Sequence, residues 1–424
     1  MSLPKPKNIV ILGGSLGGLF MGVALMRLHR NLNIRIFERN PTALLHDQGA
    51  GVVAGPDVQH FFSTHDRTRT HLSVASQQRL YVNKKGETID CEDRTQQMTS
   101  WDLLYHVLRA NYDGVKSEYA KVPDPEDGEG SVAYEYGCTV SDIKTPKSTP
   151  RPDLDFSQPI KLTIKHHSGS ISTTEADLVI AADGPSSTLR AKYLPDIKRT
   201  YAGYVAWRGT VSESAISTSA AKVFTEKFTF FHSPNTQILA YLIPGHNGTL
   251  EPGHRLVNWV WYVNYPENSP SHMDLMTDNA GKRHHITLPA GGVREEIWSG
   301  QKSYARDVLP HQFAEIVGKT VVPFVQAITD VVSSSAVLEK GRICLIGDAL
   351  AGLRPHTAMS TSQAAFDALG LAGAIERLLD SGDSGGMEVL TGWEEEVLGY
   401  ARRLQKSGVE MGERSQFGEH PMAE

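Results

Sequence analysis

Cysteine is scarce in this chain. The 424 residues include three, Cys91, Cys138 and Cys344, which are far apart and lack metal-ligand spacing. So low and odd a number excludes a disulfide framework and points to a reducing compartment, so the expected location is cytoplasmic. Charge of one sign is also scarce. Lys and Arg number 42 against 48 Asp and Glu, a formal net charge of −6, which supplies no basic face for nucleic acid or an anionic membrane. The apolar stretch from Ile9 to Leu28 approaches bilayer length, but its glycines and its strand-turn-helix pattern break it, so no membrane span is expected. Met1 to Lys5 leads straight into the first strand, leaving no room for a signal peptide there. His284 and His285 have no acidic ligand at metal spacing, so no metal site is expected. Repeats and low-complexity tracts are lacking too.

What remains is an ordinary globular composition, 40% hydrophobic and 21% charged, long enough for two domains. The organising stretch is the first forty residues. Asn8 to Leu12 is a short apolar run that reads as a strand buried on both faces. Gly13-Gly14-Ser15-Leu16-Gly17-Gly18 follows, then an apolar helix pattern to Leu28. Asn33 to Phe37 is a second strand, closed by Glu38 and Arg39. This is a β-α-β unit with a glycine-rich first turn, the pattern of a dinucleotide site. Glycine lets a pyrophosphate approach the backbone, and the helix N-terminus offers free N–H groups. Glu38, twenty residues after Gly18, stands where an acid accepts from ribose hydroxyls. The G-x-G-x-x-G pattern is altered to Gly13-x-Ser15-x-x-Gly18, a serine whose hydroxyl adds a phosphate contact. The loop 46–53, with His46, Gly51 and Val52, is expected to approach a flat ligand.

Two more apolar strands end in chemistry. One runs through Val179-Ile180-Ala181-Ala182 into Asp183-Gly184, continuing to Ser187 and Arg190. The other runs through Leu345-Ile346 into Gly347-Asp348, followed by Arg354-Pro355-His356 and Ala358-Met359-Ser360. In open α/β sheets ligands sit beyond the carboxyl ends of the strands, so three such ends imply one long ligand crossing them. Between them, from Tyr204 to Tyr265, alternating aromatic strands predict an antiparallel sheet inserted into the first domain. The spacing predicts helices over 294–317 with a break at Pro310, over 323–328, 362–379 and 387–410. A proline-rich loop is expected over 141–159. The fold expected is α/β: a Rossmann-like nucleotide-binding domain over 1–200 and 295–385, a β-sheet substrate domain over 201–294, and a C-terminal helix and tail over 386–424.

With these three motifs in this order, the chain resembles the FAD-dependent aromatic hydroxylases, single-component flavoprotein monooxygenases of the para-hydroxybenzoate hydroxylase type. The motifs match the family's nucleotide turn, its D-G-x-x-S-x-x-R motif (Asp183, Gly184, Ser187, Arg190) and its G-D motif. Met98-Thr-Ser-Trp-Asp, Ala202-Gly-Tyr-Val-Ala-Trp-Arg-Gly209, Asn258-Trp-Val-Trp-Tyr262 and Arg354-Pro-His356 are most similar to the 2,6-dihydroxypyridine 3-hydroxylase branch. Three places depart from the pattern. Ser100-Trp101 stands where the family places an arginine, and Ala349-Leu350-Ala351 where it has Ala-Ala-His. Both glycines of Pro-x-x-Gly-x-Gly are replaced in Pro355-His356-Thr357-Ala358-Met359-Ser360.

The resemblance implies FAD as cofactor, NADH or NADPH as transient reductant, and O2 delivered through a flavin hydroperoxide to a small phenolic or hydroxylated heteroaromatic ring. It assigns the cofactor to Gly13, Ser15, Leu16, Gly18, Glu38, Arg39, Gly51, Val52, Asp183, Gly347, Asp348, Pro355, Ala358 and Met359. His356, beside the expected flavin ring, is the candidate proton relay, and Arg208 the candidate partner of a substrate anion. Tyr204, Trp207, Tyr241, Trp259 and Trp261 are candidates to wall a flat pocket, each weighed against plain core packing. Two other readings stay open: an epoxidase or oxidative-rearrangement enzyme of natural-product biosynthesis, and a flavin-fold binder without turnover. A homodimer is also left open.

Overall fold

The computed structural model describes residues 5–45, 51–146, 154–380, 385–418, 420 and 422. Its first sheet has six strands, in the spatial order Val337–Leu338, Ile343–Leu345, Leu178–Ala181, Asn8–Leu12, Asn33–Glu38, Ser131–Tyr136. All neighbours pair in parallel except the Val337–Leu338 edge. Parallel strands covered on both faces must be apolar on both, which is why Ile9 to Leu12 and Leu178 to Ala181 are uniformly buried. The helix Leu16–Met26 leaves the first strand and is buried almost all round, packed between Trp101–Asp113 and Ser360–Asp380. The three motif-bearing strands are adjacent and parallel, so their carboxyl ends open on one side of the sheet. A three-stranded antiparallel sheet, Cys138–Lys144, Ile160–His166 and Ile171–Ala176, stands beside it.

The second sheet differs from the expected insertion. Its order is Thr287–Leu288, Phe324–Val332, Thr200–Ser212, Leu256–Asn264, Thr236–Ile243, Lys227–Ser233, Val74–Val82, Thr88–Ser100, Gly51–Val53. Three of its strands therefore come from before residue 101, and two lie beyond 294: Phe324–Val332 and the short Ala351–Gly352, which pairs with its end. The helices Glu295–Val308 and His311–Lys319 also pack on this sheet, burying Trp298, Phe313 and Ile316 against Trp207 and Trp259. The boundaries 1–200, 201–294 and 295–385 are thus corrected: the substrate-side sheet is assembled from segments scattered between residues 51 and 352. A local apolar pattern marks a strand but not its sheet.

Two local expectations also change. Residues 323–328, read as helical, belong to the strand Phe324–Val332, whose β-branched residues and alternating burial suit a sheet. Within the expected loop 141–159, residues up to Lys144 are strand, while 147–153 lie outside the described residues. The helix break at Pro310 is present, and the terminal helix runs Gly386–Gln416. Among the described residues, no helix is long and apolar enough to cross a membrane.

Candidate active site

A groove of about 580 Å³ runs across the strand ends, lined by Gly13, Ser15, Leu16, Glu38, Arg39, Asp183, Gly347 and Asp348 together with neighbouring backbone. That size falls within the usual range for small-molecule sites, roughly 300–1,000 Å³. The turn at its floor is built for close approach. Gly13 sits at φ +100°, and a Cβ there would lie 2.3 Å from the Ala182 carbonyl oxygen. A Cβ on Gly18 would lie 1.9 Å from the Gly13 oxygen, so Gly18 serves packing rather than the groove's lining. Ser15 is the N-cap of the helix, yet its side chain makes no capping bond. Its hydroxyl is left for a ligand beside the exposed N–H groups.

The three acids are placed differently. Glu38, 7% exposed, accepts from the Gly14 and Asn40 backbone N–H groups, both at 2.8 Å, so it holds the turn as well as facing the groove. Asp183 accepts from the Thr188 N–H and hydroxyl on Oδ2 (2.8 and 2.9 Å), while its Oδ1 is buried without a partner among the described residues. Asp348 opens into the groove. Even so, protein surrounds its carboxyl, and this poor hydration pushes it up to about 6 against the pull of Arg199 and Arg190. Arg190, from the second motif, donates to Ala349 O at 2.6 Å and to Pro185 O. It ties the second strand tip to the third rather than lining the groove.

At the far end the strand Gly51–Val53 pairs with Met98–Ser100, and the Gly51 N–H donates to Asn258 Oδ1 at 2.9 Å. Gly55 abuts the start of the Ser360–Asp380 helix: a Cβ there would lie 2.2 Å from Ser362 Oγ and 3.8 Å from Met359 Sδ. Ser360 and Thr361 line the groove, whereas Gly51, Val52, Pro355, Ala358 and Met359 lie beyond its wall. His46 lies outside the described residues.

His356 is enclosed. Its Nε2 lies 2.9 Å from the Tyr204 hydroxyl and its Nδ1 3.0 Å from Gln237 Oε1, and the ring stacks on Tyr262 with centroids 4.4 Å apart. With Gln237 presenting its oxygen, the proton sits on Nδ1, and Nε2 accepts from Tyr204. Burial and the nearby Arg354 guanidinium hold the imidazole down to about 3, so it is neutral. The terminal helix covers it: a Cβ on Gly412 would lie 2.4 Å from Tyr204 Oη.

The period of two along the strands divides the aromatic candidates. Tyr204, Tyr241, Val260 and Tyr262 form one cluster with Val53 and Met98, on the face turned to the Gly51–Val53 strand. Arg208 alternates onto that face, and its charge opposes the burial that raises the Tyr241 and Tyr262 phenols. Trp207, Trp259 and Trp261 fall on the other face, in the cluster with Trp298 and Phe313. Trp207 stacks on Trp298 at 5.6 Å, and Trp259 donates to Thr320 Oγ1 at 2.9 Å. The expected pocket role of the three tryptophans is therefore corrected: they are core under the helices.

Comparison with known proteins agrees with this geometry. A family model described as FAD binding domain-like matches residues 201–330. The chain is 28% identical over 421 residues to a 2,6-dihydroxypyridine 3-monooxygenase of Paenarthrobacter nicotinovorans, covering 98% of this chain and 93% of that protein. The solved structure of 2,6-dihydroxypyridine-3-hydroxylase from Arthrobacter nicotinovorans superposes with a TM-score of 0.80 at 26% identity, covering 99% and 96% of the two chains. By sequence and by fold the chain is similar to the FAD-dependent aromatic hydroxylases, and it reads as an FAD-dependent monooxygenase. A 6-hydroxynicotinate 3-monooxygenase of Bordetella bronchiseptica is 26% identical over 396 residues, covering 88% of this chain and 83% of that protein.

The groove fits FAD. It offers the open turn at Gly13 to Ser15, the Asp183 Oδ1 that has no partner among the described residues and the groove-lining Asp348 carboxyl, acceptors and donors in the sequence that a dinucleotide with a polyol chain needs. Several of the groove residues were not among the candidates read from the sequence. Cys138, Thr139 and Val140 wall one side from the small antiparallel sheet. Trp101, at the family's arginine position, lines the groove and stacks on Tyr105 at 4.7 Å. Asn258 was quoted only as part of a resemblance, and its contact with Gly51 appears only once the sheet is folded. Ala358 adopts φ +55°, the left-handed conformation for which the family's glycine is suited.

Proposed function

We propose that this hydroxylase transfers one oxygen atom of O2 to a small hydroxylated nitrogen heteroaromatic ring bound in its ionised form, with NADH or NADPH as reductant. The observation that carries the reading is a pair of unused donors on the face of the second sheet that meets the strand Gly51–Val53. Arg208 Nε and Asn258 Nδ2 are both buried without partners among the described residues. Their strands are adjacent, with Asn258 opposite Thr210 and Arg208 opposite Val260. Asn258 has its oxygen fixed by Gly51 N–H, so its amide nitrogen must point elsewhere. Around them stand Tyr241, Tyr262, Leu239 and Val260, an apolar and aromatic surface for a flat ring.

FAD, when bound, supplies the redox and oxygen chemistry. The protein's part is electrostatic and steric. A guanidinium whose Nε has no partner among the described residues favours the deprotonated ring, which is the more electron-rich and reactive form. Buried donors left empty are costly, so a ring lacking an anionic oxygen or nitrogen binds poorly. Neutral His356 accepts a hydrogen bond from the Tyr204 hydroxyl and stacks on Tyr262, which fixes both phenols at the edge of that surface. The two relatives named above, a 2,6-dihydroxypyridine and a 6-hydroxynicotinate monooxygenase, support this class of substrate.

The test is substrate-stimulated NADH or NADPH oxidation with dihydroxypyridines, simple phenols and indoles. Hydroxylated pyridines should stimulate. Arg208→Gln should raise KM by roughly tenfold or more while flavin content is unchanged, in line with ~1.5–3 kcal/mol for a hydrogen bond to a charged group. Indifference to hydroxylated rings combined with turnover of an indole would overturn the proposal in favour of epoxidation.

A further inference from the structure

Behind the third strand tip lies a carboxyl that no motif accounts for. Asp367, fully buried two turns into the helix Ser360–Asp380, accepts the Gly347 N–H on Oδ2 at 2.8 Å. Gln363, one turn earlier and also fully buried, donates from Nε2 to Gly347 O at 3.2 Å and to Asp367 Oδ2 at 3.4 Å. The Gly347 N–H thus ends on one side chain of this helix, and its carbonyl oxygen, which also accepts the Leu350 N–H at 2.9 Å, meets a second. Gly347 is the residue that turns the chain: its φ is +56°, and its successor is Asp348, the acid open to the groove. The helix is itself held from behind, where Trp393 Nε1 donates to Asp367 O at 3.3 Å. Its first turn, Ser360 and Thr361, lines the groove. One rigid element thus spans from the groove's far wall to the turn that presents Asp348.

Packing alone gives no reason for an acid at 367. Its Oδ1 has no partner among the described residues, and burying a carboxyl that is only half satisfied costs more than its one good hydrogen bond returns. Burial, with Asp348 and Asp57 near, pushes the carboxyl up to about 8, so it sits there largely as the neutral acid. Such a costly group is retained when it holds something that matters elsewhere.

We propose that Asp367, assisted by Gln363, is a positioning residue for the cofactor: it acts through Gly347 to aim Asp348 into the groove, and so sets FAD affinity without touching FAD. This rests on Asp348 being a cofactor ligand. The experiment titrates apoprotein with FAD, following flavin fluorescence, for Asp348→Ala, Asp367→Asn, Asp367→Leu, Gln363→Leu and the double variant Asp348→Ala/Asp367→Leu. Near-ultraviolet circular dichroism checks that each variant is folded.

Asp348→Ala should raise Kd about tenfold or more, the loss expected when a charge-assisted hydrogen bond goes. Asp367→Leu should raise it by about tenfold, while Asp367→Asn, whose amide oxygen still accepts from Gly347, stays within about threefold of wild type. The double variant should bind no more weakly than Asp348→Ala alone, because the two residues act on one contact. Wild-type affinity in Asp367→Leu, no rescue in Asp367→Asn, or full additivity in the double variant would each overturn the proposal. Wild-type affinity in Asp348→Ala would instead remove the ligand assignment, and the proposal with it. Should Asp367→Leu not fold, Gln363→Leu takes its place, with a rise of about threefold expected for one neutral hydrogen bond and unchanged affinity counting against the proposal.

Discussion

One methyl group at residue 18 separates a working turn from a broken one. Because a Cβ there would meet the Gly13 oxygen at 1.9 Å, Gly18→Ala should cost ~1–3 kcal/mol of stability, the usual range for overpacking. It should also lower flavin retention, since Gly13 must move. At Gly17 the nearest atoms are 3.9 Å away, so Gly17→Ala should keep or slightly raise stability, by up to ~1 kcal/mol through helix propensity. Urea denaturation of the two apoproteins compares them directly, and equal stabilities would contradict the close approach described. These residues were legible in the sequence because a βα turn is local. The pocket side chains were less so. Alternation shows that Trp207 shares a face with Val205, and that Tyr204 shares one with Arg208. It does not show which face looks toward the ligand when both are apolar. That choice is made by the helices Glu295–Val308 and His311–Lys319 landing over the tryptophans.

Among elements, the terminal helix shows how distant chain controls the site. Gly412 lets it lie against Tyr204 and His356, where a Cβ would come within 2.4 and 3.1 Å. Gly412→Val should displace the helix and break the Tyr204–His356 hydrogen bond. A fall in kcat for the best substrate, with FAD Kd unchanged, is the outcome expected, and steady-state kinetics beside a flavin titration measures both. The sequence marked this helix by its period but gave no sign of what it covers. Conversely, the helix Trp101–Asp113 was marked at its start. Ser100 accepts from the Leu103 N–H at 3.2 Å, and serine before an apolar helical run is a readable cap. Residues 323–328 were misread because a short apolar run suits a buried helix as well as a strand. The partner strand Thr200–Ser212 decides it.

The molecule as a whole carries opposed titrations. Asp367 keeps its proton in the fold to about pH 8, whereas in the unfolded chain it releases it near pH 4. Between these values the native state binds more protons, so this group's contribution to stability falls as pH rises, at up to ~1.4 kcal/mol per pH unit. Two half-buried histidines act the other way. His356 and His65 are held neutral down to about 3 and about 4, so stability is lost as pH falls below about 6.5, where the unfolded chain takes up protons. Asp367→Asn removes the first slope and leaves the second. Its Tm advantage over wild type, followed by calorimetry of the apoproteins, should therefore widen from pH 5 to pH 8; a constant difference would mean that Asp367 titrates normally.

The pairing of Lys227–Ser233 with Val74–Val82 is parallel and joins segments made far apart in time on the ribosome. An early hairpin must wait, its edge uncovered, until a much later stretch emerges to lie beside it. Division of the gene near residue 200 would therefore give two polypeptides that each precipitate alone and recover solubility only when synthesised together.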